Sequence, residues 1–120
     1  MNLEEIVMNI IIYSGEAKAF AYEALSKAKN GEFDEVEVLM EKANDAIGKA
    51  HDIQTSLLQK EASGDKTEVS ILFVHAQDHL MTSMSEKNLI NEIIELTKTV
   101  KLLSNKAEVN DSLIKEIATN

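Results

Sequence analysis

Apolar residues in the first thirty positions recur at intervals of three and four, the rhythm of an amphipathic helix. They begin with large side chains and continue with small ones: Leu3, Ile6, Val7, Ile10, Ile11, Ala17, Ala21, Ala24, Leu25 and Ala28. The alanines would let a neighbouring helix approach closely. Asn30 and Gly31 supply a stop, because glycine tolerates the left-handed conformation in which many helices end. The pattern predicts one long helix up to this turn.

A second helix is predicted to begin near Phe33 and Asp34, with acidic side chains at its positive end. Its apolar stripe repeats with the same spacing and consists of Val36, Leu39, Met40, Ala43, Ile47, Ala50, Ile53 and Leu57. The polar residues 61–66 interrupt this stripe. We therefore expect a flexible loop there.

A third helix is predicted over residues 68–103, and the absence of proline in the whole sequence favours such length. Three long helices joined by short turns predict an all-α fold, an antiparallel up-down-up three-helix bundle. We expect one bundle domain at residues 1–104. Residues 105–120 would then be a C-terminal extension of unknown role. A break is predicted at residues 104–111, before one or two further helical turns that contain Leu113, Ile114 and Ile117.

The third predicted helix has apolar residues on more than one side. The side expected to face the bundle core carries Phe73, Leu80 and Met84. Ile71, Val74 and Met81 lie on other sides of the same stretch. A helix at the surface of a monomer needs only one apolar stripe, so this distribution indicates burial on two sides. In a three-helix bundle the second buried side is most simply covered by another subunit, and we expect an oligomer.

Charge and composition exclude several classes of function. The formal net charge is −9, with 21 acidic residues, 12 lysines and no arginine. Binding to DNA or RNA requires basic clusters, which are absent, and a phosphate clamp built on arginine is impossible. An acidic surface does suit a basic protein partner. The absence of cysteine excludes disulfides and thiolate metal sites. The N-terminus lacks the basic region of a signal peptide, and we expect a cytoplasmic protein.

Candidate chemistry is concentrated in residues 74–82. On a helix His75, Asp78, His79 and Thr82 share one face. This face can be an inert solvated surface. It can be a metal site, since histidines four residues apart bind zinc well, although the Glu residues of zinc hydrolase and di-iron motifs are missing. It can also carry a phosphorylatable histidine, because neutral imidazole is a nucleophile near neutral pH. Spacing alone leaves all three interpretations open.

The remaining histidine, His51, lies close to the apolar stripe of the second predicted helix. We expect it to be a structural residue, hydrogen-bonded between helices. Gln54, three positions later, is expected to have a similar packing role.

Three ordered motifs give the chain a family resemblance. The run Val-His-Ala-Gln-Asp-His-Leu-Met-Thr-Ser at residues 74–83 resembles the signature of the lactose/cellobiose/chitobiose IIA family of the sugar phosphotransferase system. The run Ile-Ile-Ile-Tyr-Ser-Gly-Glu-Ala-Lys at residues 10–18 is similar to its first helix. Residues 51–55 match its His-x-x-Gln-Thr pattern. The resemblance covers residues 1 to about 100 and favours the phosphohistidine interpretation.

The resemblance implies a homotrimer of three-helix bundles and a phosphotransferase component with a phosphohistidine intermediate. His75 would accept a phosphoryl group from the histidine phosphocarrier protein and pass it to a cysteine of the cognate IIB component. Asp78, with its two symmetry mates, would hold one structural divalent metal ion per trimer, which we expect to be Mg²⁺. Gln77 and His79 match the signature and would support the acceptor.

The same resemblance implies uptake and phosphorylation of a β-linked disaccharide of the cellobiose, chitobiose or lactose class. The alternative from another functional class is a non-catalytic helical regulatory or adaptor protein. The two differ in whether His75 accepts phosphate. A dedicated metalloprotein, in contrast, would require both His75 and His79 for metal binding.

Overall fold

A computed structural model of the chain describes residues 2–119 and contains three α-helices in this range. They are α1 (Leu3–Lys29), α2 (Phe33–Ala62) and α3 (Ile71–Thr119). The all-α prediction is confirmed. The described residues also contain no helix long and apolar enough to cross a membrane.

The buried residues fall into two clusters, and the order in which the chain visits them shows the topology. The first cluster combines Val7 and Ile10 of α1 with Leu57 of α2 and Leu80 of α3. The second combines later residues of α1, earlier residues of α2 and Ile90 and Ile94 of α3. The helices therefore run up, down and up, as the sequence predicted. Phe73 and Met84 pack against the first cluster, which confirms the side of α3 assigned to the core.

The first helix is central because its inner side is made of small residues. Ala17, Ala21, Ala24 and Ala28 are fully buried, and α1 packs along both other helices, which touch each other at few points. Asn2 caps this helix by accepting a 2.9 Å hydrogen bond from the backbone N–H of Glu5. Gly31, with φ of 79°, ends the turn that the sequence predicted at this point.

The turn between α1 and α2 is also tied by charge. Lys27 Nζ lies 3.5 Å from a carboxylate oxygen of Glu32 and 3.4 Å from one of Glu35. The negative charge of Glu32, and next that of Glu35, raises the pKa of Lys27 above 10.5. This exposed group of charges joins the end of α1 to the start of α2.

The third helix begins later and ends later than the sequence predicted. It begins at Ile71 rather than residue 68, because the Ser70 hydroxyl accepts a hydrogen bond of 3.1 Å from the backbone N–H of Phe73, as an N-cap does. The predicted break at residues 104–111 was wrong, since the helix is continuous to Thr119. No glycine or proline follows Gly64. Serine, asparagine and aspartate each cost at most about 0.7 kcal/mol inside a helix, too little to interrupt it.

Candidate functional site

His75 and His79 lie one turn apart near the N-terminus of α3, and their rings are stacked. The ring centroids are 6.0 Å apart and the ring planes differ by 2°. His75 is exposed, whereas His79 is partly buried. Because α3 begins at Ile71, His75 lies about one turn from the positive end of the helix. An accessible imidazole therefore rests beside a second imidazole whose orientation is more restricted.

Packing against the bundle core fixes the position of this part of α3. Ala76 and Leu80 each follow one of the two histidines in sequence and are fully buried in the first core cluster. On α1, a Cβ placed at Gly15 would lie 3.6 Å from Nε2 of His79, an ordinary van der Waals separation. The backbone of α1 thus runs alongside the His79 ring and limits its movement. Lys18, one turn further along α1, forms a 3.4 Å ion pair with Glu86 of α3.

Gln77 faces α2 rather than the histidines. Its Oε1 accepts a hydrogen bond from Nε2 of Gln54, and both residues are partly buried. This contact fixes the rotation of α3 relative to α2 between the two histidine positions. It also confirms the interhelical packing role that the sequence predicted for Gln54.

Asp78, like His75, lies on the solvent-facing side of α3. Its side chain is exposed, as are those of Val74 and Met81, one turn before and after it. The Thr82 hydroxyl donates to the backbone carbonyls of Asp78, at 2.8 Å, and of His79, at 3.3 Å. Within residues 2–119 we find no hydrogen bond or ion pair that joins the Asp78 carboxylate to His75. The carboxylate of Asp78 and the imidazole of His75 are therefore both open to solvent on this part of α3.

The residues that could bind a metal are scattered in the part of the chain that the structure describes. Among the described residues, no group of three or more histidine, cysteine, aspartate or glutamate side chains is arranged to hold a metal ion. Asp78 is the residue that the resemblance implicates, and it offers one carboxylate. A site with several protein ligands at this position would need oxygen atoms from more than one chain.

The expectation for His51 was wrong. Its side chain is exposed on α2, because position 51 follows the buried Ala50 by only one residue and points away from the core. The close approach of the Gly15 backbone to the His79 ring was not predicted from the sequence. Its signal was the motif at residues 10–18, which contains both Gly15 and Lys18.

The family model described as "PTS system, Lactose/Cellobiose specific IIA subunit" matches residues 5–98. The chain belongs to this family. It is a IIA component of the phosphotransferase system, of the chitobiose, cellobiose and lactose type.

Relatives with curated names are similar over most of their length. The N,N'-diacetylchitobiose-specific EIIA component of Escherichia coli K12 is 48% identical over 99 residues, which cover 82% of this chain and 85% of the relative. The lactose-specific EIIA component of Staphylococcus epidermidis is 45% identical over 101 residues, which cover 82% of this chain and 97% of the relative.

Solved structures share the fold. The crystal structure of the cellobiose-specific enzyme IIA from Bacillus anthracis superimposes with a TM-score of 0.81 at 46% identity, covering 85% of this chain and 94% of that one. The IIA(Chitobiose) structure solved in complex with HPr, from the Escherichia coli phosphotransferase system, gives a TM-score of 0.74 at 46% identity. That match covers 84% of this chain and 98% of the other.

Proposed function

We propose that the chain is a phosphocarrier in which His75 accepts a phosphoryl group from the histidine phosphocarrier protein and passes it to a cysteine of the cognate IIB component. The observation that carries this proposal is the exposed imidazole of His75, stacked on His79 inside the family's signature. The complex of the similar Escherichia coli protein with HPr supports the identity of the donor.

Two displacements at phosphorus make up the cycle. A ring nitrogen of His75 donates its lone pair to phosphorus, while the bond between phosphorus and the donor's histidine nitrogen breaks and its electrons return to the donor ring. In the second step a thiolate of the IIB component attacks phosphorus and His75 leaves. Such transfers depend on positioning and electrostatic stabilisation more than on acid-base chemistry. Exposure of His75 allows two different proteins to reach it in turn.

Neighbouring residues orient the acceptor. His79 lies parallel to His75 and is held by α1 at Gly15, so it limits the ring positions open to His75. Gln77 acts at a distance through its bond to Gln54, which fixes the rotation of the helix that carries His75. The positive end of α3 lies about one turn away and favours an anionic group nearby. Because the chain has no arginine, the rest of the stabilising charge comes from lysines, backbone amides, a neighbouring subunit or the protein partner.

The proposed assembly is a homotrimer with Asp78 at its axis. Asp78 lies on an exposed apolar side of α3 between Val74 and Met81, the arrangement expected of an interface. A threefold axis along this side would bring three Asp78 carboxylates together. Three such charges repel one another unless a cation neutralises them, and carboxylate oxygens are ligands that Mg²⁺ accepts. Asp78 therefore fits one structural divalent cation per trimer.

We place the protein in the cytoplasm and its sugar in the β-linked disaccharide class. Relatives named for N,N'-diacetylchitobiose, lichenan and lactose systems share between 43% and 48% identity with this chain. Selection of the sugar belongs to the membrane component, so all members of the class can use the same phosphoryl donor.

The test is the intact mass of the protein after incubation with phosphoenolpyruvate, enzyme I and the histidine phosphocarrier protein. The wild type should gain one acid-labile phosphoryl group, and His75→Ala should gain none. His51→Ala is the matched control, because it removes an exposed histidine outside the signature and should leave the adduct unchanged. Absence of the adduct on wild type, with partners active on another IIA component, would overturn the proposal in favour of an adaptor protein.

The metal has a separate test. Asp78→Asn should abolish binding of the divalent cation in purified protein, measured by elemental analysis after dialysis. His75→Ala and His79→Ala should retain it. Loss of metal from either histidine variant, with retention in Asp78→Asn, would show that the histidines are the ligands.

A further inference from the structure

Among the described residues, the last part of α3 belongs to neither core cluster. Residues 102–119, called here the C-terminal segment, are exposed without exception. They nevertheless include large apolar residues, namely Leu102, Leu103, Val109, Leu113, Ile114 and Ile117. A helix of this length is only marginally stable by itself in water, so an exposed apolar helix of this kind needs a partner.

The spacing of apolar residues identifies the side that the partner covers. Ile93, Leu96, Val100 and Leu103 are separated by steps of three, four and three residues. The same spacing continues through Ala107, Asn110, Ile114 and Ile117, of which Asn110 is polar. Alternating steps of three and four residues define the a and d positions of a coiled coil, which is a sharper signal than general amphipathicity. We call this line of residues from Ile93 to Ile117 the seam.

The seam lies outside the bundle and continues the side of α3 that carries Asp78. Ile90 and Ile94 of the same region are buried against the bundle, whereas Leu96 and Val100 are 65% and 62% exposed. Steps of four residues through Ser85 and Leu89 connect Met81 to the start of the seam at Ile93. Other helices can therefore pack on the seam without displacing α1 or α2.

Side chains on and beside the seam specify the partner as copies of the same helix. Isoleucine at both kinds of core position, as at Ile114 (a) and Ile117 (d), favours three or four strands over two. In this register Lys106 is a g residue and Asp111 is the e residue five positions later. In a parallel, in-register coiled coil, g and the following e of a neighbouring chain are adjacent, so Lys106 meets Asp111 of the next copy. The opposite charges are complementary in that arrangement.

We propose that residues 93–119 of three chains form a parallel, in-register three-stranded coiled coil that projects beyond the bundles. This inference rests on the homotrimer proposed above and extends it past residue 98, where the match to the family ends. Its consequence is that the trimer has two points of attachment. The coiled coil would keep three chains together even when the Asp78 carboxylates have no cation to bind.

Crosslinking tests the geometry directly, because the chain has no native cysteine. Ile114→Cys places a thiol on the seam, and Val109→Cys places one off the seam at a site of similar exposure, 59% against 64%. Under a mild oxidant, Ile114→Cys should form covalent dimers containing about two of every three chains, as a threefold axis requires. Val109→Cys should remain monomeric on a denaturing gel. Equal crosslinking of the two variants, or none at position 114, would overturn the proposal.

Association measurements separate this inference from the trimer itself. Ile114→Asp should raise the chain concentration at which the trimer dissociates at least tenfold, by light scattering of the full-length protein, and Val109→Asp should change it less than about twofold. A wild type that is monomeric overturns both the trimer and the coiled coil. A trimer that Ile114→Asp does not weaken overturns the coiled coil alone. A dimer in place of a trimer also rejects the coiled coil proposed here.

Discussion

The two segments of α3 are one continuous helix but differ in what surrounds them. In residues 71–98, the bundle segment, one side is packed into the core while another side faces solvent. In the C-terminal segment every residue is exposed. The first segment therefore has a defined conformation within a single chain. The second has exposed apolar side chains that belong to neither core cluster of the described residues.

Helical continuity and tertiary stability are therefore separate properties in α3. Residues 102–119 continue α3 because nothing in their sequence ends a helix, not because packing holds them there. The bundle segment is held at Ala76, Leu80, Ile90 and Ile94, all of which are buried. Substitutions of these buried residues should change the stability of one chain, and those in the C-terminal segment should change association.

A matched pair of leucines gives the largest expected contrast. Leu80 is fully buried and Leu103 is 61% exposed in the single chain. Leu80→Ala should lower the free energy of unfolding by about 3 kcal/mol at every protein concentration, because it leaves a cavity in the core. Leu103→Ala should have little effect in dilute protein and a clear effect in concentrated protein. Urea denaturation followed by circular dichroism at low and high concentration measures both.

The expected difference between the two leucines is contradicted if Leu103→Ala lowers the free energy of unfolding equally at both protein concentrations. That result would mean that Leu103 packs within its own chain. The seam would then have no need of a second copy.

Alanines provide a second matched pair with a smaller effect. Ala21 is fully buried in the second core cluster, whereas Ala107 is an exposed residue of the seam. Ala21→Leu should lower the free energy of unfolding by about 2 kcal/mol, because there is no space for the added carbons between closely packed helices. Ala107→Leu should raise the melting temperature of the trimer by filling its core. Thermal unfolding followed by circular dichroism distinguishes the two, and a destabilising Ala107→Leu would contradict the seam.

The sequence predicted the bundle well because its helices are defined by local signals. The turn at Gly31 and the start of α2 at Phe33 follow from residues within a few positions of each boundary. The inward positions of Leu80 and Phe73 follow from helical periodicity. Each of these features depends on short-range geometry, which a sequence displays directly.

Long-range relations were not predictable in the same way. The approach of Gly15 to His79 and the bond between Gln54 and Gln77 depend on how whole helices rotate and slide against each other. The outward position of His51 depends on the same rotation, and an error of one residue around the helix reversed the expectation. The predicted break after Ser104 gave too much weight to small differences in helix propensity. The roles of His75, Gln77, Asp78 and His79, and the domain boundary at residue 104, remain predictions.

The smallest expected effect on stability comes from the ion pairs of lysine side chains. The pKa of Lys27 is raised above 10.5 by Glu32 and Glu35, so the folded chain binds this proton more tightly than the unfolded chain does. The ion pairs of Lys27 with Glu32 and Glu35 should contribute fully to stability below about pH 10.5, the usual pKa of lysine. This contribution should be lost as the pH rises through the raised pKa of Lys27. Lys27→Gln should remove this part of the pH dependence. Melting temperatures of wild type and variant should therefore converge at high pH.

Two controls connect this prediction to the two segments of α3. Lys29→Gln removes another lysine of the last turn of α1, one with no ion pair among residues 2–119, and should leave the pH dependence as it is in wild type. The effect of Lys27→Gln should not change with protein concentration, since all its partners belong to the same chain.

Lys106→Gln should act only where trimers form, because the coiled coil pairs Lys106 with Asp111 of a neighbour. If Lys106→Gln lowers the stability of dilute, monomeric protein as much as that of concentrated protein, the charges of the C-terminal segment act within one chain and the parallel register loses its electrostatic support.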